Sequence, residues 1–447
     1  MSSIPERIDR ALPVVLGHLE ELVRIPSVSS LPEHADDVAR SARASADLLT
    51  ELGLSARVVY AGGLPSVIAH RPAPPGAPTV LLYAHHDVQP AGEVTDWASD
   101  PFEPSAREGR LYGRGAADDK AGLAVHLAAL LAHGDDLPVG VTVLVDGEEE
   151  IGSPSLPDLL DRYRDDLAAD VIVVADSVNW AVGTPSLTVV LRGLVDAVVE
   201  VRTLEHPLHS GAWGGPLPDA LTTLVATLAT LHDADGSVAV AGLARGRGSE
   251  VEYDEARFRK DAGLLDGVRL TGTGSITDRL WLQPCITVTA IDSQRVDGAA
   301  NMLSASARAK LSMRIAPGDD PDRALAALTE HLHAHAPHGA HVSVTPGPLA
   351  HPVRLDPPPA VRDAALDALR TAWDGVEPVE IGVGGTLPLI KLFTDAFPDA
   401  AVLVTGVEDP DTRAHGPNES LHLGDFRNAC VAEALLLERL GRSGDQG

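Results

Sequence analysis

Hydrophobic and polar positions along this chain follow two different periods. Short runs of β-branched and apolar residues, Thr79–Ala84, Val141–Val145, Val171–Ala175 and Ala401–Thr405, predict buried strands. Between and around them, apolar residues recur at helical spacing over Asp36–Leu52, Lys120–His133 and Ala360–Ala372. Near-continuous apolar strands that alternate with helices predict an α/β fold built on a mainly parallel sheet.

The pattern changes between about Arg192 and Ala316. Alternating strands, Asp196–Arg202, Cys285–Ile291 and Ala307–Ile315, surround one helical stretch, Ala220–His232. This predicts a smaller α+β domain at 191–316 inserted into a larger domain made of 1–190 and 317–447. Pro72–Pro78 reads as a surface loop, and Gly183–Pro185 and Pro317–Pro321 as connections.

Composition changes the picture in three ways. The 64 acidic residues exceed the 35 basic ones, for a net charge of −29, which argues against nucleic acid and leaves carboxylates free to bind cations. Cys285 and Cys430 are too few for a disulfide framework or a thiolate zinc site, which fits a reducing compartment. Met1–Arg24 mixes Glu6, Arg7, Asp9, Arg10, Glu20 and Glu21 with apolar residues, unlike a signal peptide, and no stretch is apolar enough to cross a membrane. The expectation is a cytoplasmic protein with neither a nucleic-acid nor a membrane partner.

Ligands of open α/β sheets bind beyond the carboxyl ends of the strands. Thr79–Ala84 is followed by His85, His86 and Asp87, and Val141–Val145 by Asp146, Glu148, Glu149 and Glu150. Val171–Ala175 is followed by Asp176, and Ala401–Thr405, after a loop, by His415. Asp118 follows two glycines, Gly113 and Gly115, just before a predicted helix. Taken alone, each such group reads more often as a cap or a solvated side chain than as a ligand. Five together favour a centre of imidazole and carboxylate donors, suited to zinc, manganese or cobalt, with two metals sharing one carboxylate. One of two adjacent glutamates would bind metal while its neighbour acts as general base. The cluster His331, His333, His335 and His338 lies in a helical stretch without partner acids and reads as a surface feature.

These segments resemble the M20 metallopeptidases, which include carnosinase-like dipeptidases, acetylornithine deacetylases and succinyl-diaminopimelate desuccinylases. YAHHDVQP at 83–90 is similar to the family's first motif, which implies His85 as a metal ligand and Asp87 as its orienting acid. LYGRGAADDK at 111–120 is similar to the second, implying that Asp118 bridges both metals. EEEIGS at 148–153 is similar to the third, implying Glu149 as the base and Glu150 as a ligand, with Glu148 an extra acid. By the same resemblance Asp176 joins His85 on one metal, and His415 in AHGPNE joins Glu150 on the other.

Within the insert, LHSGAWGG at 208–215 implies that His209 stabilises the oxyanion, in its own or a partner subunit's site. LSMRIAP at 311–317 implies that Arg314 binds the substrate's terminal carboxylate, helped by Gly385 and Thr386 of GGTLP at 384–388. Asn301 is a further substrate contact by position, although NMLS departs from the usual Val-Ile-Pro pattern there.

The resemblance implies a zinc-peptidase catalytic domain with an inserted lid and dimerisation domain, two divalent ions per subunit (zinc first, manganese or cobalt as alternatives), and a homodimer. The implied reaction is hydrolysis of dipeptides or short peptides with a free carboxylate. Deacylation of N-acyl amino acids is the alternative. A non-catalytic binding protein would lack a ligand or Glu149, and a serine hydrolase would need a Gly-X-Ser-X-Gly elbow; the sequence shows neither feature.

Overall fold

The structure, a computed structural model, describes residues 2–385 and 388–443. The chain divides into two compact units, Met1–Val189 with Leu355–Ile381 and Pro388–Gly447, and Val190–Arg354 with Gly382–Leu387.

The larger unit is built on the mixed sheet whose centre is parallel. Thr79–His85 lies between Gly140–Asp146 and Val171–Val174, and Ala401–Val404 pairs with Val171–Val174 on the far side. The register sets His85 opposite Asp146 and Tyr83 opposite Val174. These strands therefore end at one level, with the residues that follow them at the same edge. Antiparallel strands Ser55–Val59 and Ser66–Arg71 extend one side of the sheet, and Ser186–Leu191 extends the other. The expected mainly parallel α/β architecture is borne out, with antiparallel flanks that the hydrophobic pattern did not reveal.

Helix Lys120–His133 starts and stops where the pattern predicts. Its residues are buried except Leu131, so it is apolar all round and not amphipathic. It packs between the sheet and the helices Ile4–Val23 and Leu423–Ser443. Even Lys120 is buried, its ammonium donating to the carbonyls of Leu22 at 2.8 Å and Ile25 at 2.7 Å.

The smaller unit carries an antiparallel sheet in the order Cys285–Ile291, Ser306–Ile315, Gly193–Arg202, His341–Ala350. Helices Ala220–Ala229 and Pro321–His335 pack on it around Val199, Leu224, Leu311 and Leu328. The expected boundary at 316/317 is corrected by this sheet, because His341–Ala350 pairs with Gly193–Arg202 and keeps the segment through Arg354 in the smaller unit. Pro346, Pro348 and a run of exposed positions hid this strand, and an edge strand tolerates both. The histidine cluster is corrected in part. His331 is buried, bonds Thr230 and stacks on His335, whereas His333 and His338 are exposed.

Candidate metal centre

Asp118 is the centre of the site. Its Oδ1 lies 3.0 Å from Nε2 of His85, and its Oδ2 lies 3.0 Å from Nε2 of His415. Asp176 Oδ2 is 4.0 Å from the same His85 nitrogen, and Glu150 Oε2 is 3.2 Å from that of His415. Two donor sets result, His85–Asp118–Asp176 and Asp118–Glu150–His415, each with its atoms within 4.8 Å of one another. The structure thus brings together all five residues expected to bind metal.

Neighbouring groups fix how these side chains point. Nδ1 of His85 faces Asp87, 3.1 Å from its carbonyl and 3.4 Å from its carboxylate, which leaves Nε2 to face the centre. The Asp87 carboxylate also accepts the backbone N–H groups of Glu149 at 3.2 Å and Glu150 at 3.1 Å. Gln89 holds the Glu150 carboxylate, donating from its backbone at 3.1 Å and from its side chain at 2.7 Å.

Glu148 turns away from the centre. It accepts from Leu64 N–H at 2.7 Å and from Ser155 N–H and hydroxyl at 3.1 and 2.5 Å. The approach requires Gly63, where a Cβ would stand 2.0 Å from the Glu148 carboxylate. With Glu148 and Glu150 both engaged, Glu149 remains, 4.0 Å from His85 Nε2. Among the described residues no hydrogen bond to its carboxylate is formed.

Glu419 was not singled out from the sequence. Buried, it accepts from the backbone N–H groups of Gly115, Ala117 and Asp118 at 3.0 to 3.1 Å and pairs with Arg114 at 2.6 Å. It thereby fixes the turn that presents Asp118. Its place at the end of AHGPNE, the segment that holds His415, was the available signal, but only the folded turn shows what it holds. Asp119, joined to Asp118 by a cis peptide, caps helix Lys120–His133 through Gly122 and accepts the N–H of His85.

Electrostatics point to cations. Burial, reinforced by Asp118 and Glu150 against the pull of His85, pushes Asp176 up to about 7. Burial and the Asp176 charge push Glu149 well above the carboxylate range. Hydrogen bonds to Asp118 and Glu150 push His415 up to about 11, and those to Asp118 and Asp87 raise His85 in spite of burial. Asp176 Oδ2 is buried and makes no hydrogen bond among the described residues. Acids packed this densely compete for imidazolium protons, and divalent ions at the two donor sets would balance them. Imidazole and carboxylate without thiolate is a donor set that fits zinc, manganese or cobalt.

The remaining expected residues lie in the smaller unit. Nδ1 of His209 accepts the N–H groups of Gly211 and Ala212 at 3.1 and 3.2 Å, so a neutral ring carries its proton on Nε2. Asn301 is its neighbour through the backbone, accepting from Ser210 N–H at 3.1 Å. Arg314 stands on the strand Ser306–Ile315 opposite Cys285. Arg192, likewise not singled out from the sequence, is buried there with Nη1 3.3 Å from Cys285 Sγ, and Gly384 leaves room for its Nη2, 2.7 Å from where a Cβ would be. Gly385 is exposed, and Thr386 lies outside the described residues.

Residues 81–439 match Peptidase family M20/M25/M40, and the chain belongs to this family of hydrolases. It is 36% identical over 438 residues to the cysteinylglycine-S-conjugate dipeptidase of Corynebacterium striatum, covering 96% of each chain. It is 28% identical to the Beta-Ala-His dipeptidase of Rattus norvegicus, over 91% of this chain and 89% of that one. The crystal structure of human carnosine dipeptidase 1 has the same fold, with a TM-score of 0.83 at 26% identity and 98% coverage of each chain.

Proposed function

We propose that the protein is a two-metal dipeptidase that hydrolyses dipeptides or short peptides with a free terminal carboxylate. One observation carries this reading: Asp118 stands between two donor sets while the Glu149 carboxylate beside them accepts no hydrogen bond among the described residues. The relatives named as dipeptidases support it, since the likeness spans nearly the whole chain.

His85 and Asp176 would hold one ion and Glu150 and His415 the other, with zinc favoured by the donor set. When bound, such a pair supplies Lewis acidity toward the scissile carbonyl and acidifies a water. Glu149 takes the proton of the attacking water and returns it to the departing amine, a task for which its carboxylate stands 4.0 Å from His85 Nε2 with no hydrogen bond to it among the described residues. Asp87 keeps His85 and the Glu149–Glu150 turn in one geometry. His209 donates from Nε2 to the oxyanion, and Arg314 with Gly385 and Thr386 grips the terminal carboxylate, with Asn301 beside the substrate.

The protein acts as a homodimer through its smaller unit. The edge strand Cys285–Ile291 supports this, with Val288 38% and Ile291 41% exposed, as does Val296 just beyond it at 93%. No helix among the described residues is long and apolar enough to cross a membrane. A cytoplasmic location without nucleic-acid partners completes the proposal, supported by the net charge of −29 and by two free cysteines.

Turnover of dipeptides, N-acetyl amino acids and N-succinyl amino acids, after chelation and readdition of zinc, manganese or cobalt, tests the reading. Metal-restored cleavage of the dipeptides is expected. Turnover confined to the acyl amino acids would make the enzyme a deacylase.

A further inference from the structure

Beyond the strand Ala401–Val404 the chain keeps its register with the segment that follows Val171–Val174. Val404 pairs with Val174, Thr405 N–H donates to Val174 at 2.8 Å, and a parallel bridge joins Glu408 to Val178. Glu408 N–H donates to Ser177 at 3.3 Å, and Asn179 N–H donates to the Glu408 carbonyl at 2.8 Å. The bridge thus sets Glu408 opposite the residue two positions beyond the ligand Asp176.

Its carboxylate is in an unusual position. It is half-buried, and the charges acting on it include those of Asp118, Asp176, Glu419 and His415. Among the described residues it accepts no hydrogen bond and forms no ion pair, and it belongs to neither donor set. Glu419, by contrast, has Arg114 and three backbone N–H groups. A carboxylate without protein donors among other acids calls for a cation that arrives with the substrate.

On the dipeptidase reading above, the scissile carbonyl sits at the donor sets around Asp118. The α-ammonium is one carbon from that carbonyl, and the Glu408 carboxylate feels the charges of Asp118, Asp176 and His415 that surround it. We infer that Glu408 binds the free α-ammonium group of the substrate and makes the site selective for unblocked dipeptides over N-acylated ones. An acyl group turns that ammonium into a neutral amide and leaves Glu408 without a counter-ion, so the loss is one of charge as well as fit. The same acid that admits a dipeptide thus disfavours the substrates of a deacylase.

The test uses the metal-loaded full chain, with alanylglycine and N-acetylalanylglycine as a matched pair. Wild type is expected to prefer the free dipeptide. In E408Q the KM for alanylglycine should rise about tenfold to hundredfold, the scale of a charge-assisted hydrogen bond, with kcat changed less and the preference reduced by the same factor. Bound metal should stay at the wild-type level, and E408D should recover part of the preference. An E408Q enzyme that keeps the full preference, loses both substrates equally or loses a metal ion overturns the assignment of Glu408 alone. A wild type that prefers the acetylated substrate overturns the dipeptidase reading, and this assignment with it.

Discussion

Asp87 lies 3.4 Å from Nδ1 of His85, and the same carboxylate accepts the backbone N–H groups of Glu149 and Glu150. One acid thus orients a member of one donor set and the turn that carries both the proposed base and a member of the other. Replacing Asp87 by Asn should weaken metal affinity about tenfold to hundredfold, in line with other acids that orient metal-binding histidines. Competitive titration with a zinc chelator checks this, and unchanged affinity would separate Asp87 from the centre.

Glu149 should behave differently from its neighbour. E149Q should retain both metal ions while kcat falls about a hundredfold to ten-thousandfold, the contribution of a positioned general base. E150Q should lose metal as well as activity. Metal analysis of the two purified variants alongside their turnover distinguishes the roles.

Glu419 never meets substrate in this mechanism, yet its loss should be costly. E419A leaves the Arg114 guanidinium and three backbone N–H groups buried without their acceptor. Breaking a buried pair from one side costs about 3 to 5 kcal/mol, so the denaturation midpoint should drop and metal affinity with it as the Asp118 turn loosens. Equilibrium unfolding in urea with and without zinc reads both effects.

The metal-free protein should become less stable as pH rises from about 5 to 8. Asp176 titrates at about 7 in the fold against 3.8 for an unperturbed aspartate, chiefly through burial, so its neutral form stabilises the fold below 3.8 and that contribution is lost as pH climbs through 7. His415, raised to about 11 by its bonds to Asp118 and Glu150, has the same sign, its contribution declining above 6.5. Metal ligation needs deprotonated donors, so the stabilisation gained on adding zinc should grow over the same range. Thermal melting of apo and zinc-loaded protein from pH 5 to 8 checks both trends.

Much of the centre was legible in the sequence because parallel strands are read easily. Thr79–His85, Gly140–Asp146, Val171–Val174 and Ala401–Val404 are nearly continuous apolar runs, the first three ending at or just before His85, Glu149–Glu150 and Asp176, the last reaching His415 after a loop. The supporting acids were not legible. Glu419 looks like any surface glutamate until the turn at Gly115–Asp118 folds over it, and Glu408 gains its place from the register of two loops. In the smaller unit, His341–Ala350 escaped notice because an edge strand with Pro346 and Pro348 has no apolar period to read.

The central claim is that Asp118 stands between two cations. Anomalous scattering at the zinc edge from crystals of the zinc-loaded protein measures it most directly. Two peaks are predicted, one bounded by His85, Asp118 and Asp176 and the other by Asp118, Glu150 and His415. A single peak, or ions bound away from Asp118, would contradict the account.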